Sequence, residues 1–260
     1  MIVIEKLEKS FNGQRVLREL DLTIQSRESL VVIGRSGCGK SVLLKHVIGL
    51  MRPDSGHVYI DSDDVTAMSE TELNVLRKRF GMVFQGAALF DSLTVGENIA
   101  LPLREHTTLS EDEILDRVRG KLRLVGLEGI EAASPASLSG GMKKRVGLAR
   151  AIAMDPEFVL YDEPTTGLDP IMADAINSLI RTLQKQLSIT SVAVTHDMRS
   201  AYRIGDTIAM LHDGKIIYKG TPDEIRKCED PIVCQFITGN ASGPMSQSQE
   251  TKNSMGNRRS

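Results

Sequence analysis

The stretch SLVVIGRSGCGKSVLLKHVIGLM, Ser29 to Met51, decides the fold. It opens with SLVVIG, a short continuous apolar run of the kind that parallel sheets bury on both faces. It closes with KSVLLKHVIGLM, where apolar residues recur at helical spacing. Between the two, GRSGCGKS (Gly34 to Ser41) fits GxxxxGK[ST] in the strand–loop–helix setting that this phosphate-binding motif requires. Gly34, Gly37 and Gly39 let backbone N–H groups of a loop that also contains Arg35, Ser36 and Cys38 converge on phosphate oxygens. The helix N-terminus adds a favourable field. Lys40 is expected to reach the β- and γ-phosphates, and the Ser41 hydroxyl to ligate Mg²⁺.

The second half of such a site is an apolar strand ending in acid, and FVLYDEP, Phe158 to Pro164, supplies it. Asp162 is expected in the Mg²⁺ shell and Glu163 as the group that polarises an attacking water. His196 ends the next strand, SVAVTH, and strand ends of a parallel sheet face the ligand crevice, so it can donate to the γ-phosphate. His46, His57, His106 and His212 have no such placement and read as incidental.

Around this frame, MIVIEKLEKSF and VLRELDLTIQS read as two early strands. Capping boxes at Ser69/Glu72, Thr94/Glu97 and Ser110/Glu113 predict helix starts, and residues 94–153 read as almost wholly helical. A helix over 171–187, the strand ITSVAVTH and a short helix follow. A strand pair then turns at Asp213-Gly214. Strands and helices alternating around a helical block predict an α/β core with a smaller helical subdomain. From Asn240 onward there is no Val, Ile, Leu or aromatic residue, so that tail is expected to be disordered or docked on a partner.

LSGGMKKR, Leu138 to Arg145, poses a separate question. Helix N-termini favour acids, yet Lys143, Lys144 and Arg145 add positive charge to one. The run either meets an anion or forms a solvated helix face.

Composition narrows the function classes. A net charge of −2 gives no support to nucleic-acid binding. No apolar run approaches the roughly 18 residues of a membrane span, and glutamates stand where a signal peptide needs a basic flank. A cytoplasmic chain is expected, meeting a membrane only through partners. Three cysteines without CxxC spacing argue against a disulfide framework or a zinc site.

In order and spacing, GRSGCGKS, Gln85 after FGMVF, LSGGM, FVLYDEP, GLD at 167–169 and His196 closely resemble the nucleotide-binding subunits of ABC transporters. The resemblance spans residues 1–238, leaving 239–260 as a polar tail. It implies an α/β P-loop NTPase (ABC ATPase) core with an antiparallel β subdomain and an inserted α-helical subdomain at about 86–153. ATP and Mg²⁺ are the implied cofactors. By the same resemblance Phe11 stacks on adenine, and Gln85 senses Mg²⁺ and the attacking water and signals to a membrane partner. Asp169 helps set the opposite chain's site. Ser139, Gly140 and Gly141 donate to ATP held by a second copy in a head-to-tail dimer, with the basic turn strengthening the field. Met142 stands where the broad family usually has Gln, so contacts there fall to Ser139 and the backbone.

GAALFDSLTVGENIALPLREHT, Gly86 to Thr107, together with LSGGMKKR is similar to the Mla-type, MCE-associated ATPases. That subfamily implies phospholipid movement between the inner and outer membranes of Gram-negative bacteria. Its implied partners are an MlaE-like permease, an MCE-domain lipid-binding protein and a STAS-domain subunit, and its place is the cytoplasmic face of the inner membrane. FITGNASGP near residue 240 also looks like that subfamily, whose tail docks on a neighbouring chain or the STAS partner. An importer ATPase for amino acids or another small solute would carry the same catalytic motifs. A DNA-repair ATPase would need a coiled-coil insert for which residues 42–157 leave no room, and a translation factor would need two cassettes. The intact Glu163 disfavours a regulator that only binds nucleotide.

Overall fold

A computed structural model describes residues 1–245. Two sheets organise it. The first is antiparallel and contains β1 (Ile2–Phe11), β2 (Gln14–Ile24), β4 (Ser55–Ile60) and the two-residue β5 (Asp63–Asp64), in the order β2-β1-β4-β5. The second has the order β10-β9-β3-β8-β7-β6 and contains β3 (Ser29–Ile33), β6 (Phe80–Val83), β7 (Phe158–Asp162), β8 (Thr190–Thr195), β9 (Thr207–His212) and β10 (Lys215–Gly220). Its strands run parallel except for β10, which returns from β9 through the expected Asp213-Gly214 turn. Both turn residues take positive φ, 50° and 82°, as a tight hairpin requires.

Every residue of β3 is buried because both faces of its sheet are covered. Leu30 and Val32 face a core shared with the antiparallel sheet and with α1 (Lys40–Val47). Val31 and Ile33 face a second core built by the helices. Period-two alternation thus survives inside an unbroken apolar run.

The three expected capping boxes form, at the starts of α2 (Glu70–Arg77), α3 (Val95–His106) and α4 (Glu111–Leu124). A fourth, Thr221 with Glu224, opens α8 (Pro222–Arg226). The 94–153 stretch is less helical than expected. Between α4 and α5 (Gly140–Ala151) the chain is irregular apart from one turn at Pro135–Ser137. Gly126, at φ 69°, ends α4 there. The remaining helices are α6 (Pro170–Gln186), α7 (Met198–Ile204) and α9 (Pro231–Thr238).

The tail needs a correction over its described part. Residues 240–245 dock on their own chain. Met245 is 5% exposed, its N–H donates to Gln235 Oε1 at 2.8 Å, and its carbonyl accepts from Arg35 Nη1 at 3.2 Å. Counting only Val, Ile, Leu and aromatics overlooked a methionine able to join the core. Residues 246–260 lie outside the described residues.

Candidate nucleotide site

Register assembles the site. Ile33 pairs with Thr195, and Asp162 with Val194, so β3, β7 and β8 end together. The phosphate loop, Asp162–Glu163 and His196 therefore emerge along one edge of the sheet. Gly34 must be glycine at that edge, since a Cβ there would overlap the Leu211 carbonyl oxygen and lie 2.8 Å from Cys38 Sγ. Gly39 caps α1 with φ 109°, and a Cβ on it would sit 3.0 Å from Val16 and 3.1 Å from Leu17.

The acidic and basic groups are joined through short contacts. Lys40, 6% exposed, donates to the carbonyls of Gly34 at 2.7 Å and Arg35 at 3.1 Å. Its Nζ also lies 3.7 Å from Glu163 Oε1. Ser41 Oγ donates to Asp162 Oδ1 at 2.9 Å. Glu163 holds φ 49°, its N–H tied to the Val194 carbonyl. Its carboxylate meets His196 Nδ1 at 3.0 Å and accepts from Thr195 Oγ1 at 3.2 Å. Thr195 is a supporting residue that sequence reasoning passed over. Adjacency to His196 was the one signal that could have found it.

A cavity of about 370 Å³ brings together Phe11, Ser36, Gly37, Gly39, Lys40, Ser41, Gln85, Glu163 and His196, with Val16 and Val42. Phe11 comes from the far sheet: β1 ends at it, Asn12-Gly13 turn the chain, and the ring remains 40% exposed. Lys9 Nζ stands 5.7 Å above that ring. Arg35 and Cys38 line a neighbouring depression together with Met245, not this cavity. Burial pushes the Cys38 thiol up, so its reactive thiolate is disfavoured.

Ser139, Gly140 and Gly141 do not line the cavity. They form the start of α5, where Ser139 Oγ accepts from the Met142 N–H at 3.3 Å, which leaves its O–H able to donate. Gly140 lies open, and Gly141 is buried because Met172 packs where its Cβ would be. Asp169 caps α6, accepting from the N–H groups of Ile171 and Met172.

Within the basic run, Lys144 and Arg145 are held by backbone carbonyls of this chain. Lys144, 6% exposed, turns inward and donates to the Gln85 carbonyl. Arg145 donates to the Val125 carbonyl at 3.1 Å. One turn of helix separates side chains by about 100° per residue, so three consecutive cations cannot face one target.

A family model described as "ABC transporter" matches residues 17–166. "Probable ribonucleotide transport ATP-binding protein mkl" of Mycobacterium tuberculosis is 42% identical over 249 residues, 96% of this chain and 69% of that protein. "Intermembrane phospholipid transport system ATP-binding protein MlaF" of Haemophilus influenzae is also 42% identical, over 90% of this chain and 89% of its own. A solved structure, "Dimeric structure of a post-hydrolysis state of the ATP-binding cassette MJ0796 bound to ADP and Pi", aligns with a TM-score of 0.78 at 33% identity, covering 85% of this chain and 99% of that one.

Proposed function

The chain belongs to the ABC transporter family and is an ATP-hydrolysing subunit, and from that premise we propose that the transport it drives is of phospholipid, between the inner and outer membranes of a bacterium. The observation that carries this reading is the likeness to MlaF along nine-tenths of both chains. The proposed partners are an MlaE-like permease, an MCE-domain lipid-binding protein, a STAS-domain subunit and a second copy of this chain. Among the described residues no helix is long and apolar enough to cross a membrane; the proposed place is the cytoplasmic face of the inner membrane, reached through those partners.

In the proposed division of labour the phosphate loop and Lys40 cradle the nucleotide phosphates, and Phe11 stacks on the base. Ser41 and Asp162 present hard oxygens already 2.9 Å apart, a donor set suited to Mg²⁺, with Gln85 at the cavity wall. Bound there, the ion would neutralise phosphate charge. Glu163, braced by Thr195 and His196, orients and polarises the attacking water; His196 is exposed enough to turn toward the γ-phosphate. Ser139 to Gly141 serve the partner copy's nucleotide across a two-fold axis, which an exposed helix start outside its own cavity supports.

An apolar groove of about 570 Å³ supports a permease contact. Phe84, Phe90, Leu101, Pro102 and Met154 line it, and Phe84 and Phe90 are 39% and 51% exposed.

The test is the native complex, purified through this chain and reconstituted in lipid vesicles. ATP-dependent movement of labelled phospholipid is expected, and Glu163→Gln should stop it while trapping an ATP-bound dimer. Movement of a ribonucleotide or an amino acid in place of lipid would overturn the cargo assignment. ATPase turnover per chain, in the free subunit, should rise with protein concentration and be lost in Ser139→Ala. Indifference to both would remove the shared site.

A further inference from the structure

Two cations of α5 grip the backbone that follows β6. Lys144 donates to the Gln85 carbonyl. Arg150 donates to the carbonyls of Ala87 and Ala88, each at 2.8 Å. Between them Gly147 gives the loop room to approach, since a Cβ there would lie 3.3 Å from the Ala87 Cβ and 3.5 Å from its oxygen. Three-residue spacing keeps 144, 147 and 150 on one side of the helix.

The gripped backbone is itself unusual. Ala87 and Ala88 both take left-handed φ, 60° and 48°, a conformation that L-residues hold only where the surroundings enforce it. Carbonyls in such a turn have no ladder partners and need donors from elsewhere. Burial draws the Lys144 ammonium below its usual range while the Glu163 carboxylate pushes it back up, and burial lowers Arg150 as well. Cations placed at that cost are better explained by the carbonyls they satisfy than by solvation.

The same loop touches both candidate surfaces. Gln85 lines the nucleotide cavity, while Phe84 and Ala88 line the apolar groove, where Arg150 also appears. The opposite end of α5 carries Ser139.

We propose that Lys144 and Arg150 are positioning residues that lock the Gln85–Ala88 backbone to α5, so that loop and helix start move as one body. A shift at the groove then displaces Ser139 without further contacts. This rests on the reading above that Gln85 and Ser139 serve ATP.

The experiment compares full-length wild-type chain with Lys144→Met, Lys144→Arg and Arg150→Met. Amide hydrogen exchange over residues 85–90 is measured without nucleotide, and ATPase kcat and KM with Mg-ATP. Lys144→Met and Arg150→Met should each speed that exchange about tenfold or more. Each should also lower kcat about tenfold with KM for ATP changed less than about threefold. Lys144→Arg should restore both quantities to within about threefold of wild type. Unchanged exchange in Lys144→Met and Arg150→Met overturns the clamp. Faster exchange with unaltered kcat overturns the coupling and leaves only a structural tie. If wild-type turnover ignores Ser139→Ala, the ATP reading fails instead, and the exchange measurement still decides the clamp.

Discussion

Glu163 stands at φ 49°, a left-handed conformation for a residue with a full side chain, and its N–H bond to Val194 holds it there. Strain of that kind persists where neighbours over-determine a backbone, and here they aim a carboxylate into the cavity. Glycine positions divide by the same logic. At Gly34 a methyl group would overlap the Leu211 carbonyl. Gly34→Ala is therefore expected to lower the melting temperature by several degrees and to weaken ATP binding about tenfold or more. At Gly129, φ 71°, nothing lies within 4 Å of an added Cβ. Gly129→Ala should cost only the conformational penalty of about 1–2 kcal/mol and leave nucleotide affinity unchanged. Thermal melts with nucleotide titration separate the two, and equal affinity losses would refute the distinction.

Among the described residues three α-helices begin with a serine cap, at Ser69, Ser110 and Ser139, and the cap chemistry is shared. Ser110 Oγ accepts from the Glu113 N–H and Ser139 Oγ from the Met142 N–H. Each alanine variant should lose about 1 kcal/mol, a drop of about 2–4 °C in melting temperature. Only Ser139→Ala should lose ATPase activity, because only Ser139 opens a helix that lacks acid in its first turn and faces outward from its own cavity. Melting curves and turnover measured on the same samples check the pair. The capping boxes were legible in the sequence because they depend on residues three apart. The inward turn of Lys144 was not, because its acceptor lies 59 residues away on a loop whose path no local pattern announces.

Across the whole molecule, Arg79 joins the two sheets. It meets Asp61, beyond β4, at 2.6 Å and Glu157, before β7, at 2.8 and 2.9 Å. Arg79 holds Glu157 below the usual carboxylate range, and the Met1 amino group followed by Arg79 does the same for Asp61. Carboxylates lowered by folding contribute stability above their ordinary pKa and lose it as pH falls through the lowered values. The melting temperature should therefore decline from about pH 5 toward pH 3, and Arg79→Met should make that decline shallower. The groups are exposed, so the difference is about 1 kcal/mol at most. Parallel decline in both proteins would exclude the bridge as its cause. The sequence by itself determined the phosphate loop, the acidic strand end, the helix caps and the hairpin turn, since each depends on neighbours in the chain and on backbone preferences. Only the tertiary structure decided that β3, β7 and β8 end in register, that Phe11 crosses from the other sheet, that Met245 docks beside Arg35, and that two basic residues of α5 hold a loop. Those outcomes come from packing between distant segments, where burial and unsatisfied carbonyls outweigh local pattern.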